Sequence, residues 1–234
     1  MRGIDLVGFP LNPVYLNRMT TLLIATRNRH KVGEIQAILG SGFRCLTLED
    51  FSGAPAVVED ADTFAGNAFK KAQALASWLT QQSASAESIQ FVLADDSGLE
   101  VDALGGAPGV HSARFAALDP KSDGNTPDVD NNAKLLRLLE TVPREKRTAR
   151  FHCVIAIVSV QSSATGADLP TFDGACEGRI DFAPRGAGGF GYDPLFIPDG
   201  FTESFAELGE EVKNRLSHRA KALGKLRTWF ALRS

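Results

Sequence analysis

The sequence predicts a mixed α/β protein, and three of its features indicate this class. Residues 21–25 are a short apolar run typical of a buried strand, and apolar residues then recur at helical spacing over 32–39. Residues 148–161 form a long β-branched stretch that predicts a strand, which we expect to pair as a hairpin with 171–181. Because no repeat and no clear linker separates these parts, we expect strands and helices in one folded unit.

Local signals indicate the other elements. A helix begins near Thr63, with apolar side chains recurring on one face up to Leu79, and a last helix begins with Ser217 as its N-cap. The remaining predicted elements are a polar connector at 81–88, a buried strand at 91–94, a loop at 119–130, a helix marked by leucines over 135–139 and a glycine-rich loop at 184–194.

The composition excludes several classes of protein. The 234 residues suffice for one large domain or two small lobes with a substantial core. A net charge of −3 argues against a surface for nucleic acid, and no apolar run approaches the length of a membrane span. Cys45, Cys153 and Cys176 lack metal-binding spacing, so we expect reduced thiols in a cytoplasmic protein. We expect residues 1–18 to be either an extension of uncertain role or the result of an upstream start, before a single domain at 19–234.

A polar loop, TRNRHK at 26–31, lies between the first predicted strand and helix. Backbone amides at a helix N-terminus carry partial positive charge and bind phosphate in many α/β proteins. Thr26 and Asn28 add short polar groups, and Lys31 adds a full charge. The loop therefore predicts a phosphate site, although a solvated helix cap would use the same residues.

Asp95 and Asp96 come directly after the strand predicted at 91–94. Open sheets place ligands at the carboxyl ends of their strands, and carboxylate oxygens suit Mg²⁺. Because adjacent side chains diverge, we expect one aspartate to face Mg²⁺ and the other a water or a supporting donor. An Asp-rich turn before Gly98 is the alternative.

The segment GAGGFG at 186–191 matches the dinucleotide pattern GxGxxG but lacks its context. Pro194 prevents a following helix, so we expect a loop that presents Phe190 to a flat ligand, or else a glycine turn with Phe190 in the core. Lys213, His218 and Arg219 cluster near the start of the last helix, where they can serve an anion or a base carbonyl, or simply be solvated.

Taken together, these segments resemble the inosine/xanthosine triphosphate pyrophosphatase family. The resemblance rests on TRNRHK (26–31), TFAGNAFKKA (63–72), ADDSGLEVDALGGAPGVHSARFA (94–116), GGFGYDPLFIP (188–198) and SHRAKAL (217–223). It implies an elongated mixed β-sheet flanked by helices, with two lobes around a central nucleotide cleft. It also implies a Mg²⁺-dependent homodimer that hydrolyses ITP, dITP and XTP to monophosphate and pyrophosphate. Pyrimidine-directed pyrophosphatases and a nucleotide sensor without turnover are the competing hypotheses.

The resemblance also implies roles for individual residues. The catalytic residues would be Asp96, Asp95, Lys31 and Lys71, and the metal ligands Asp96 and Glu59. The substrate contacts would be Thr26, Arg27, Asn28, Arg29, His30, Lys31, Ser97, Phe190, Gly191, Tyr192, Asp193, Lys213, His218 and Arg219. This sequence departs from the family pattern twice: Val58 precedes Glu59 where two acids are common, and His111 replaces a tyrosine.

Overall fold

One six-stranded sheet runs through the computed structural model, which describes residues 19–82, 88–117, 124–160 and 170–233. The principal elements are β1 (Thr20–Ile24), α1 (Arg29–Leu39), β2 (Phe43–Thr47), α2 (Phe64–Thr80), β3 (Phe91–Val101), α3 (Asp128–Leu138), β4 (Thr148–Ser159), β5 (Thr171–Ile180), β6 (Phe196–Pro198), α4 (Phe205–Leu216) and α5 (His218–Ala231). The predicted extension at 1–18, much of the connector at 81–88, the first part of the loop at 119–130 and the end of the predicted strand at residue 161 lie outside the described residues.

The sheet has the strand order β2-β1-β3-β4-β5-β6. Strand β1 pairs parallel with both β2 and β3, whereas β3, β4, β5 and β6 pair antiparallel in succession. The prediction of a mixed sheet is therefore confirmed. The predicted hairpin partners are also confirmed, because β4 and β5 pair from Thr148 opposite Arg179 to Ala156 opposite Thr171.

Helices cover both faces of the sheet, and the alternation of side chains along β1 shows why. Leu23 packs on the α2 side, with Ala72 and Leu75 in the same apolar cluster. Leu22 packs on the opposite side, in a cluster that includes residues of α1 and α5 such as Ile35 and Leu223. A strand buried on both faces reads as a continuous apolar run, which is the pattern at 21–25.

Two predicted boundaries were wrong. Strand β3 continues past residue 94 to Val101, because its whole length pairs with the long strand β4. Asp95 and Asp96 therefore lie inside a strand, and not after it or in a turn. Helix α3 begins at Asp128, so the loop predicted to reach residue 130 ends earlier. Acidic residues in a first helical turn interact favourably with the helix dipole, and α3 has Asp128 and Asp130 there.

Among the described helices, none has the length and apolar character needed to cross a membrane. The three cysteines are free thiols, with Cys153 and Cys176 buried and Cys45 half-buried.

Candidate active site

The two adjacent aspartates point to opposite faces of the sheet, as successive side chains on a strand do. Asp95 shares the α1 and α5 side with Leu93 and contacts Lys31 and Arg219. Asp96 lies on the α2 side, near Lys71. The predicted divergence of the pair is confirmed, and the two carboxylates have different surroundings.

Asp95 is a fully occupied acceptor. Its Oδ1 accepts hydrogen bonds from Lys31 Nζ at 2.6 Å and Ser97 Oγ at 3.0 Å, and its Oδ2 accepts from Arg219 Nε at 2.9 Å and Cys153 Sγ at 3.0 Å. Burial raises the pKa of Asp95, but the charges of Arg219 and Lys31 outweigh burial and hold the pKa well below its ordinary value. Asp95 is therefore an ionised anchor with no acceptor position left for water.

Asp96 is the opposite case. Its Oδ1 is 3.5 Å from Lys71 Nζ, while its buried Oδ2 has no hydrogen-bond partner among the described residues. Burial raises the pKa of Asp96; Lys71 and Lys31 lower it in part, and Glu59 and Asp95 raise it further. A buried acceptor without a partner destabilises a fold, so its retention marks Asp96 as a functional candidate.

Lys71 joins the candidate ligand Glu59 to this aspartate. Its ammonium group donates to Glu59 Oε2 at 3.0 Å and to the backbone oxygen of Asp95 at 2.8 Å. Arg114 donates to the backbone oxygen of Glu59 at 3.1 Å, which holds that segment against the 109–114 turn. The predicted group of Lys71, Asp96 and Glu59 is thus brought together on the α2 side of β3.

A second ion-pair network lies on the other side and includes Glu34, which the sequence analysis missed. Glu34 pairs with Arg219 through Oε2 and with Lys213 Nζ through Oε1 at 2.7 Å. Lys213 also contacts Asp193 Oδ2 at 2.5 Å. Glu34 lies three residues after Lys31 and so on the same face of α1, a spacing that could have identified it.

The glycine-rich loop carries Phe190, whose ring contacts one residue of α1 and one of α4. The Phe190 ring stacks on His30 with a centroid distance of 5.2 Å, and Lys213 Nζ lies 4.3 Å from its centroid. His218 is buried and stacks on Phe151 at 4.9 Å, and its Nδ1 has no partner among the described residues. The predicted loop is confirmed, and Phe190 is half-buried at the cleft and not in the core.

One cavity brings many of the predicted substrate contacts together. These are Asn28, Lys31, Ser97, Phe190, Gly191, Tyr192, Asp193, Lys213, His218 and Arg219. The arginines of the 26–31 loop point elsewhere: Arg27 donates to the backbone oxygen of Ala54 at 2.8 Å, and Arg29 pairs with Glu49 at 2.8 Å. With Thr26, they line a separate groove beside residues 47–49.

The start of α1 is a polar cap. Asn28 Oδ1 accepts from the amides of His30 at 3.0 Å and Lys31 at 3.2 Å, and Thr26 Oγ1 accepts from the Asn28 amide at 3.2 Å. The alternative considered for this loop, a helix cap, is therefore present. The phosphate role of Thr26 and Asn28 stays a prediction.

The buried imidazole predicts a loss of stability in mild acid. Burial lowers the pKa of His218 well below its ordinary value, and Arg219 and Lys213 lower it further. An unfolded histidine has a pKa of about 6.5, so below that pH the unfolded state binds more protons and stability falls as the pH falls. We expect stability to fall as the pH falls below about 6.5, with a slope that approaches about 1.4 kcal/mol per pH unit while His218 stays neutral in the folded protein.

Urea unfolding at pH 7, 6 and 5 would measure this effect. His218→Asn should remove that part of the pH dependence, whereas His111→Asn, at an exposed position, should leave it unchanged. Carboxylates such as Asp96 titrate in all three proteins, so the difference between the variants isolates His218. Equal pH dependence in both variants would contradict the prediction.

The fold and the site together define a class: α/β proteins with a mixed sheet and a cavity lined by charged and aromatic side chains. Within it, the chain belongs to the Ham1 family, whose model matches residues 22–229. The chain is 50% identical over 210 residues to a dITP/XTP pyrophosphatase of Geobacter sulfurreducens, which covers 89% of this chain and 96% of that protein. It is 49% identical over 205 residues to a protein of the same name from Desulforamulus reducens, covering 87% and 92%.

A solved structure supports the same assignment. The structure of a HAM1 protein from Coxiella burnetii matches with a TM-score of 0.73 and 35% identity, covering 91% of this chain and 99% of that one. The family resemblance indicated by the sequence motifs is thereby confirmed.

Proposed function

We propose that this protein hydrolyses non-standard purine nucleoside triphosphates (ITP, dITP and XTP) to the monophosphate and pyrophosphate. The observation that carries the proposal is Asp96, a buried carboxylate with a raised pKa and an oxygen without a partner among the described residues. The relatives named dITP/XTP pyrophosphatases support the choice of substrate and reaction.

Asp96 accepts a proton from the attacking water in this proposal. A general base works best when its pKa lies close to the working pH, and the environment of Asp96 shifts its pKa in that direction. Asp95 is assigned a supporting role, because its oxygens are committed to Lys31, Ser97, Cys153 and Arg219.

Lys31 and Lys71 stabilise the negative charge that develops on the phosphate oxygens. Lys31 is held by Asp95 at 2.6 Å, and Lys71 by Glu59 at 3.0 Å and the backbone of Asp95 at 2.8 Å. Cations fixed in this way before the substrate binds need little reorganisation during the reaction, and such preorganisation is a large source of rate enhancement.

The donor set on the α2 side fits Mg²⁺. Asp96 Oδ2 is a free hard oxygen, and Glu59 offers a second carboxylate next to the same ammonium group of Lys71. Mg²⁺ commonly uses one or two carboxylates plus substrate phosphates, and these two carboxylates match that number. When bound there, the ion would neutralise charge on the phosphate oxygens.

The purine would lie against Phe190, near His218 and Arg219, all of which line the cavity.

We also propose residues 19–234 as one catalytic domain, acting in the cytoplasm as a homodimer. The free thiols agree with a reducing compartment.

Product analysis tests the proposed reaction. ITP should give inosine monophosphate and pyrophosphate in equal amounts, without a diphosphate intermediate and without turnover in excess EDTA. The physical reason is that attack at the α-phosphorus releases the outer two phosphates together. Stepwise phosphate release, turnover without divalent metal, or binding of ITP without any product would each contradict the proposal.

A further inference from the structure

Helix α3 holds the glycine-rich loop at the two peptide groups on either side of the Gly191 Cα atom. The amide of Gly191 donates to Asp128 Oδ2 at 2.6 Å, and its carbonyl oxygen accepts from Asn132 Nδ2 at 3.0 Å. Asp128 and Asn132 are four residues apart, on one face of α3. Two side chains of helix α3 are thus hydrogen-bonded to the residue that directly follows Phe190.

The preceding peptide group is held too. The Phe190 amide donates to Asp193 Oδ2 at 2.8 Å, and Asp193 is itself paired with Lys213. Gly189 and Gly191, on either side of Phe190, have φ values of +73° and +62°, a region that other residues rarely adopt. Without these hydrogen bonds, such a backbone would sample more conformations, and the position of the ring would depend on its contacts with His30 and Lys213.

The start of α3, which provides these hydrogen bonds to Gly191, is itself fixed by hydrogen bonds. Asn131 Oδ1 accepts from the Ala116 amide at 2.8 Å and from Thr126 Oγ1 at 2.7 Å, which ties the helix to the segment after the 109–114 turn. The Tyr192 hydroxyl donates to the backbone oxygen of Ser112 at 2.9 Å, so the loop is attached to the same turn. Loop and helix are therefore fixed to one common element.

We propose that Asp128 and Asn132 are positioning residues that hold Phe190 in place for the purine ring. The inference rests on the proposed function and adds to it the residues that align the stacking platform. Stacking of a base on an aromatic side chain strengthens binding most when the ring is already oriented before the base arrives. Phe190 is proposed to contact the base, whereas Asp96 is proposed to act at the phosphate. Loss of the hydrogen bonds from Asp128 and Asn132 should therefore weaken substrate binding more than it slows the reaction.

Steady-state kinetics with ITP test the proposal. Asp128→Ala should raise KM about tenfold and change kcat by less than about twofold, since a hydrogen bond to a charged group is lost at a binding position. Asp128→Asn keeps an acceptor oxygen and should return KM to within about threefold of the wild-type value. Asp130→Ala is the matched control: Asp130 is an exposed acid in the same first turn, without a side-chain contact to the loop among the described residues. Its KM should stay at the wild-type value, because this variant removes an equivalent first-turn charge but no hydrogen bond to the loop.

A double-mutant cycle with Phe190→Ala separates positioning from general destabilisation. In the Phe190→Ala background, Asp128→Ala should add no further increase in KM, because no ring remains to be oriented. Multiplying effects, or an unchanged KM in Asp128→Ala, would overturn the inference. If Asp128→Ala does not fold, Asn132→Ala removes the opposite hydrogen bond and must show the same pattern.

The cycle also distinguishes this inference from the proposed function. If the wild type does not turn over ITP, the proposed function fails, and the same variants are compared by their Kd for ITP in EDTA. A coupled loss of affinity would then support the positioning role, and independent losses or no binding would overturn it.

Discussion

Asp96→Asn is expected to lower kcat for ITP by at least about a hundredfold, the usual scale for loss of a general base. An amide cannot accept the proton of the attacking water at neutral pH, so the loss should appear in kcat and not in KM alone. The fold should survive, because asparagine is nearly isosteric and removes a buried charge that the described residues compensate only in part. Thermal unfolding should give a melting temperature equal to that of the wild type or higher.

Asp95→Asn is the matched control at the adjacent position. Asp95 neutralises Lys31 and Arg219, both within hydrogen-bond distance, and its side chain is completely buried. Removing one partner of a buried ion pair destabilises a protein by about 3–5 kcal/mol, so this variant should unfold at a clearly lower temperature. Near-normal turnover in folded Asp96→Asn, or unchanged stability in Asp95→Asn, would contradict the division of roles.

The parts of the fold that the sequence predicted are those with local signals. Helix α2 has its N-cap at Thr63, whose hydroxyl accepts from the Gly66 amide, and α5 has its N-cap at Ser217, whose hydroxyl accepts from the Ala220 amide. Strand β4 is long and β-branched, so its composition alone distinguishes it. In each case the residues that specify the element lie within the element or beside it.

The missed elements lack such signals. Helix α4 contains Gly209 at φ +79°, a non-helical residue that interrupts its apolar periodicity. Strand β2 lies at the edge of the sheet and is half-buried, and β6 has only three residues. Their existence depends on neighbours that are distant in the sequence, such as β1 for β2 and β5 for β6.

In the candidate site, too, the features set by local sequence could be predicted, and those set by distant residues could not. The divergence of Asp95 and Asp96 follows from strand geometry and was predictable, whereas the choice of partners was not. Arg219 and Asp95 are 124 positions apart, and the packing of α5 on β4 and β5, beside β3, brings them together. Likewise, no local rule separates Lys31, which enters the cleft, from Arg29, which pairs with Glu49 outside it.

Base selectivity gives the second large effect: kcat/KM for ITP and XTP should exceed that for ATP and GTP by at least about a hundredfold, roughly 2.7 kcal/mol. Hypoxanthine and xanthine carry a carbonyl at position 6, which accepts hydrogen bonds. The start of α5 lines the cavity, and Ser217 Oγ already caps the Ala220 amide. Among the described residues, no acceptor contacts the amides of His218 and Arg219, so they are available as donors to that carbonyl.

Adenine presents an amino group at position 6 and would place donor against donor. A desolvated donor without an acceptor costs about 1–3 kcal/mol, and two such losses compound to several hundredfold. Guanine shares the 6-carbonyl, so discrimination against GTP depends on its 2-amino group finding no acceptor or no room. Stacking on Phe190 helps all purines alike, so Phe190→Ala should lower kcat/KM for each of them and leave the ratios unchanged.

Arg219→Ala should reduce both the rate and the preference for ITP. Its guanidinium is almost completely buried and bonded to Asp95, Glu34 and Ser97, so the substitution disturbs the start of α5 as well as removing donors. Because Asp95 and Glu34 would each lose one of their two cationic partners, the ratio must be measured at a temperature where the variant is folded. A competition assay with ITP, XTP, ATP and GTP in one mixture measures the kcat/KM ratios directly. Comparable kcat/KM values for ATP, GTP and ITP in the wild type would refute selectivity for non-standard purines, even if pyrophosphate were the product. Such values would mean that the donors at the start of α5 do not distinguish the group at position 6 of the base.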